Sequence, residues 1–291
     1  MRFNVVFLGP ENILALRQDF MLALRHGLAS CGHDVTMDWN RVDASRVNLL
    51  VGAYFLPRDS ILQIAKSGLT YAVVNTEVIK DDLLNHNPAK VDFLGAYVPL
   101  IRRGAFAWDV IQDNIAEYGR YDVPARFLRW GYLPELETIA HAADKTLDYY
   151  FFGSMTARRK EMLAALDRAG FKGRHDHSSP GFIRNELIGR SKVQLNIIQK
   201  DIYTHVNSFR ICLLANNRCA ILSERETDPA GYLAYTRVTD AESFVADFAA
   251  LVDAANWTRQ AEDAHAKFRS VTMKSCMERL LDETFADKRA A

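Results

Sequence analysis

The 291-residue chain carries no excess of either charge: lysine plus arginine number 36, and so do aspartate plus glutamate. A nucleic-acid binder driven by overall charge is thereby excluded, although local basic pockets are not. No apolar run approaches the about 18 residues that a membrane-spanning helix needs. The opening MRFNVVFLG enters a strand directly, without the charged-then-apolar layout of a signal peptide. The expectation is a cytoplasmic soluble protein with no transmembrane segment and at most peripheral membrane contact. Cysteine is scarce and scattered (Cys31, Cys212, Cys219, Cys276), with no C-x-x-C pair, so packed reduced thiols are expected rather than a disulfide framework or a zinc site. Three motifs are missing: G-x-G-x-x-G after the first strand, G-x-x-x-x-G-K-[ST], and G-x-S-x-G. Their absence argues against a dinucleotide oxidoreductase, a P-loop enzyme and a nucleophile-elbow hydrolase. There is no repeat of fixed period and no low-complexity tract.

Apolar runs and helical faces do alternate. Strands are expected over 3–8, 34–39, 47–54 and 69–75, with helices over 14–29 and 59–66 between them, which means a parallel sheet covered by helices. VDFLGAYVPL reads as a further strand running into a loop, residues 107–118 as a helix, and 127–134 as extended. The Ala-rich polar stretch 135–145 reads as a linker. A second series starts at 147, with a strand to Ser154, a helix over 156–169, a shorter one over 181–189, a possible last strand over 235–238, and two C-terminal helices. The fold class expected is α/β, with two Rossmann-like domains over 1–140 and 141–291 facing each other across a cleft, and helices at the C-terminus.

The stretch 191–224, SKVQLNIIQKDIYTHVNSFRICLLANNRCAILSE, carries most of the functional signal. Val193, Leu195 and Ile197 alternate as a buried strand. Ser208 is placed to cap a helix carrying Arg210 and the apolar Phe209, Cys212, Leu213 and Leu214; Asn216-Asn217 ends it, and 219–222 is the next strand. Polar residues at strand exits are where α/β proteins bind ligands. Free N–H groups at the start of that helix, the Ser208 hydroxyl and Arg210 suit a diphosphate, with a plain cap and a surface arginine as the bland alternative. Gly153-Ser154 leads into a helix with Arg158-Arg159 in its first turn. Cations oppose the helix dipole there, which makes sense if they meet a phosphate and is otherwise a solvated basic face. At the next exit, the carboxylate of Ser223-Glu224 can accept from a ribose diol, or is an ordinary loop acid. In the first half, Glu11 and Glu77 follow strands, with Asn75, Asp81-Asp82 and His86 near in sequence, and any of them is a candidate base or acceptor contact. His175-Asp176-His177 is too small a set for a metal site, so no metal and no cofactor are expected.

In order along the chain, Trp130-Gly131-Tyr132-Leu133-Pro134 with Glu135 and Glu137, the 149–154 strand with Arg158-Arg159, Ser191-Lys192 through Leu195-Asn196, Ser208-Phe209-Arg210, and the 221–224 strand resemble the glycosyltransferases of the two-Rossmann (GT-B) architecture. The branch most resembled is that of the CgeB-like, spore-maturation-protein-like enzymes. The resemblance covers 130–224. It implies a nucleotide-sugar donor in the second domain and an acceptor in the first, expected to be a glycan, protein or small molecule; the balanced charge leads us to expect no nucleic-acid partner. It also implies metal-independent transfer, in keeping with the lack of any D-x-D. Carried over by residue, Gly153, Ser154 and Arg158 face the donor, Lys192, Ser208 and Arg210 contact the diphosphate, and Glu224 contacts the ribose. The commoner pair of glutamates seven apart is missing, since Asn217 stands seven before Glu224. The catalytic candidates remain Glu11 and Glu77. A silent binding module of the same fold and a nucleotide-sugar epimerase are the competing readings.

Overall fold

The computed structural model describes residues 1–177, 179–199 and 205–289. The chain forms two compact units, 1–130 with 273–291, and 131–272.

The first unit runs β1 (Arg2–Phe7), α1 (Glu11–Ser30), β2 (Asp34–Trp39), β3 (Val47–Val51), α2 (Arg58–Lys66), β4 (Tyr71–Asn75), a hairpin of β5 (Ile79–Lys80) and β6 (Leu83–Leu84), α3 (Val98–Arg103), β7 (Ala107–Asp109), α4 (Asn114–Tyr118) and β8 (Ala125–Phe127). Six strands pair in parallel in the order β2-β1-β3-β4-β7-β8. The central strands are buried on both faces, as Phe3, Val5, Val6 and Phe7 are, because helices cover both sides of a parallel sheet.

The second unit runs β9 (Leu147–Phe152), α5 (Ala157–Arg168), β10 (Gly173–Asp176), α6 (Gly181–Gly189), β11 (Ser191–Asn196), α7 (Ser208–Asn216), β12 (Ala220–Glu224), β13 (Arg237–Thr239), α8 (Phe244–Leu251) and α9 (Ala254–Arg269). Its five strands are parallel in the order β10-β9-β11-β12-β13. The chain leaves β9 toward one edge and returns to build β11 on the other side. The β9–β11 boundary is therefore a switch point, where successive loops part and leave a crevice at the carboxyl ends of the strands. In the first unit the same reversal falls between β1 and β3.

The α/β class with two parallel sheets is as expected, and several segments are not. VDFLGAYVPL is a π-helical turn (Phe93–Tyr97) leading into α3. Pro99 stands in the first turn of that helix, where its missing N–H costs nothing. Residues 107–109 are strand β7 rather than helix, and only 114–118 coil. Segment 131–146 is no loose linker: Asn216 Oδ1 accepts from the Leu133 N–H at 2.9 Å, and Asn217 Oδ1 accepts from the N–H groups of Thr138 and Ile139. Three C-terminal helices stand where two were expected, because α9 is followed by a break at which the Val271 carbonyl accepts from the Tyr132 N–H at 2.7 Å. The last of them, α10 (Met273–Arg289), belongs to the first unit rather than the second. Met273 packs so close to Gly27 of α1 that a Cβ there would lie 2.9 Å from its side chain, and Trp108 Nε1 donates to Thr284 Oγ1. No helix among the described residues is long and apolar enough to cross a membrane.

Candidate functional site

At the carboxyl edge of the second sheet, three strand exits converge. β9 ends in Gly153, β11 in Asn196 and β12 in Glu224, and the registers Tyr150↔Gln194 and Ser223↔Asn196 bring these ends level. Helix α7 starts beside them and is buried over nearly its whole length. Its cap is Asn207, whose Oδ1 accepts from the Arg210 N–H at 3.2 Å, rather than the expected Ser208. Asn207 sits just outside the helix with non-helical backbone angles, as a capping side chain must, while Ser208 is already the first helical residue. The first five positions of the loop 200–207, 200–204, lie outside the described residues.

Arg210 projects into the switch point. Its guanidinium donates to Asn196 Oδ1 at 2.8 Å and to the Phe152 carbonyl at 2.7 Å, and stacks over the rings of Phe151 and Phe152. Arg159, from the first turn of α5, approaches the same place. It donates to the carbonyls of Ile197 and Ser154 and also lies over Phe151. Both residues are only 5% exposed. Among the described residues neither meets a carboxylate in an ion pair, and Arg210 Nε has no hydrogen-bond partner. Burial pulls Arg210 down to about 9, with repulsion from Arg159 adding to it. Burial likewise pulls Arg159 down to about 10, against attraction from Glu226 and Glu224. Both remain cationic at neutral pH. Two desolvated cations thus rest on neutral oxygens and aromatic faces, an arrangement worth far less than a charge-assisted bond to an anion.

Gly153 makes room for this. Its φ is +147°, and a Cβ on it would come within 2.8 Å of Arg210 Nη2, so a side chain there would displace the guanidinium. Ser154 Oγ lies 2.8 Å from His177 Nε2 at the rim, and Asp176 accepts from the Tyr150 hydroxyl. Arg158, expected to face the donor, grips Glu224 at the same edge in a two-pronged ion pair of 2.7 and 2.5 Å. Glu224 is 2% exposed and also accepts from the Ile198 N–H at 2.7 Å. Neighbouring positions on a helix point about 100° apart, so the two successive arginines reach different partners at this edge. Ser208 and Gly153 are brought to the cluster. Lys192 is not: it pairs with Asp148 at 2.7 Å, four residues back along β11 and so about 13 Å from its carboxyl end.

Sequence reasoning assigned no role to Asn196, although it closes one of the resembling blocks, and missed Glu226. Asn196 spends its oxygen on Arg210 and its amide on Ser223 and on Glu226 Oε2, the last at 2.8 Å. Glu226, half-buried beside the arginines, is pushed up to about 7 by burial, with repulsion from Glu224 working against the pull of the Asn196 amide, Arg210 and Arg159. Its one sequence signal is the i, i+2 spacing from Glu224, which puts both acids on the same side of an extended segment.

In the first unit Glu11 opens α1, exposed at the β1–β3 switch point. Glu77, after β4, is buried and saturated. Arg17 and Tyr54 donate to Oε1 at 2.9 and 2.7 Å, while Lys90, at 2.7 Å, and Asn85 donate to Oε2. Burial alone would raise its pKa, but Arg17 and Lys90 outweigh that and hold it below the ordinary value of 4.5. Such a carboxylate is a clasp for the 78–90 segment and a poor proton acceptor. A depressed pKa lends stability that is complete above 4.5 and is lost as pH falls through the folded-state value. Acid unfolding of the wild type below about pH 4.5 should therefore be steeper than that of Glu77→Gln when followed by circular dichroism; equal slopes would contradict the clasp. Asp81-Asp82, with φ of 52° and 59°, form the tight turn of the β5–β6 hairpin, and His86 continues a second left-handed pair with Asn85. Asn75 is fully buried and donates to Asp109 Oδ2 and to the Glu77 carbonyl.

No protein-family model and no curated protein matches this chain. Among solved structures it is similar to an alpha-glucosyltransferase, both in complex with UDP and in complex with UDP and a 13-mer DNA containing a central A:G mismatch. Each gives a TM-score of 0.66 at 11% identity over 98% of this chain and 99% of that one. It is also similar to AviGT4, a glycosyltransferase involved in avilamycin A biosynthesis (TM-score 0.57, 12% identity, 100% and 99% covered), and to WaaG, a glycosyltransferase involved in lipopolysaccharide biosynthesis (0.56, 14%, 97% and 99%). The likeness at these identities is one of fold, and the fold of this chain is that of the GT-B glycosyltransferases.

Proposed function

We propose that the chain is a glycosyltransferase that binds a nucleotide-sugar donor at the carboxyl edge of the second unit and moves the sugar to an acceptor hydroxyl bound by the first. The observation that carries this reading is the pair of buried guanidinium groups, Arg159 and Arg210, at the switch point with no carboxylate partner among the described residues. A diphosphate supplies the missing anion, and the starts of α5 and α7 add N–H groups and dipoles of the right sign. Two fixed cations in a dry site stabilise the departing nucleoside diphosphate without reorganising, and they supply at the protein's own expense the charge a divalent cation would bring. We therefore read the transfer as metal-independent. The UDP-bound neighbour supports a uridine diphosphate donor as the first to test.

Glu224 remains the proposed ribose contact. Its Oε1 keeps a lone pair beyond the bond to Arg158, while Oε2 is filled by Arg158 and the Ile198 N–H, so the ribose meets one free acceptor site and has to approach past that ion pair. Of the two candidate bases, the exposed Glu11 suits the role better than the saturated Glu77. The motifs over 130–224 favour the CgeB-like branch, with a glycan, protein or natural-product acceptor. Balanced charge argues against a nucleic-acid acceptor, yet the neighbour in complex with a 13-mer DNA makes DNA a necessary member of any acceptor panel.

The test is release of nucleoside diphosphate from a panel of nucleotide-sugars, with and without acceptors. One donor is expected to be hydrolysed slowly alone and faster with its acceptor. Binding without turnover across the panel would point to a silent binding module, and absence of both would remove the donor reading.

A further inference from the structure

Resting on the diphosphate reading above, one acid beside the arginines has no ion-pair partner among the described residues. Glu226 lies two residues beyond the end of β12 and is reached by Asn196, whose amide donates to Oε2 at 2.8 Å while its oxygen accepts from Arg210. Asn196 thus couples the carboxyl of Glu226 to the guanidinium that faces the crevice. The charged groups that act on Glu226 are Arg210 from α7, Glu224 at the end of β12 and Arg159 from α5; the next residue, Thr227, forms a backbone bridge with His205. Glu224 already has Arg158 as its partner. Glu226 has no ion pair of its own among the described residues, and it shares the arginines' field with any anion that binds there.

We propose that Glu226 takes up one proton as the donor diphosphate binds, so that its neutral carboxyl donates a hydrogen bond at the anion site instead of repelling the anion. Two like charges that share one pair of arginines in a half-buried site cannot both persist cheaply, and the carboxylate is the one that can be neutralised. The proton comes from solvent and is returned when the diphosphate leaves. The tendency of Glu226 to titrate near neutrality in the free protein means that little work is needed to complete its protonation. The direction follows from linkage: the bound state holds more protons than the free state, so affinity falls as pH rises, by at most about tenfold per pH unit for one proton.

Glutamine at 226 mimics the protonated carboxyl, being neutral and still a donor. Titration calorimetry with UDP from pH 6 to 8.5 is the test, on the wild type, Glu226→Gln and, as a control for the neighbouring imidazole, His205→Gln. The ligand's own titration appears equally in all three. The wild type is expected to lose roughly tenfold more affinity than Glu226→Gln over that range, and Glu226→Gln is expected to bind at pH 8.5 more tightly than the wild type. Wild-type binding in two buffers of different ionisation enthalpy should show net proton uptake beyond that of Glu226→Gln. Identical pH slopes in wild type and Glu226→Gln, a slope removed by His205→Gln instead, or weaker binding by Glu226→Gln at every pH would each overturn the proposal while leaving the diphosphate site standing. Failure of all three proteins to bind UDP at any pH would overturn the diphosphate reading itself, and this inference with it.

Discussion

Arg210→Met is expected to abolish UDP binding while leaving the melting temperature of the free protein unchanged or higher. Arg210 is buried, rests on neutral oxygens, is repelled by Arg159 and has an unpartnered Nε. Replacing a buried charge by an apolar side chain of similar length is often neutral or stabilising, because the desolvation penalty disappears with the charge. Some of that gain is lost, since Asn196 Oδ1 and the Phe152 carbonyl give up a donor. Binding responds in the opposite sense: truncating one member of a buried charge pair costs about 2–5 kcal/mol, which is about 30-fold or more in affinity. Thermal denaturation with and without UDP reads both quantities. A variant that unfolded several degrees earlier and still gained stability from UDP would show Arg210 to be structural.

Arg158→Ala should behave in the reverse way, unfolding the protein earlier whether or not UDP is present. Its guanidinium neutralises Glu224, which is 3% exposed at its side chain against 26% for Arg158. Removing one partner of a buried ion pair leaves an uncompensated charge and costs about 3–5 kcal/mol; the partial exposure of Arg158 lets water reach the carboxylate and points to the lower end, about 3 kcal/mol. The double variant Arg158→Ala/Glu224→Gln should recover most of the loss, because no charge is then stranded. Urea denaturation measures all three. If Arg158→Ala unfolds with the wild type, the pair is not what holds this edge of the sheet together, and Arg158 is released for the donor role that its place in the sequence suggests.

The central strands of both sheets were legible because parallel strands buried on two faces read as short apolar runs, as in FNVVF and LDYYFF, whereas the polar edge strand β10, GRHD, shows no such run and was not expected. The exceptions have local causes. AWD of β7 is too short to show a period and is followed by polar residues that coil. FLGAYVPL is apolar throughout, and the proline that looked like a terminator starts a helix. Ser270-Val271-Thr272 carries no glycine or proline to announce the break before α10, which comes from a backbone bond to Tyr132. In the site, the small-residue exit at Gly153, the paired arginines and Arg210 stood out as types misplaced for pure structure. Which partner each of the paired arginines reaches depends on helix phase. That Lys192 is remote follows from its position at the amino end of its strand. Asn196 closes one of the blocks that carry the resemblance but had no role assigned, Glu226 carries no motif, and only the level ends of β9, β11 and β12 bring them to the arginines.

The claim on which the rest depends is that Arg159 and Arg210 form a diphosphate site, and titration calorimetry of UDP against uridine tests it most directly. UDP should bind the wild type, uridine should bind at least about 30-fold more weakly, and Arg210→Met should erase the difference between them. Equal affinities of UDP and uridine, or a preference for UDP that survives in Arg210→Met, would contradict it.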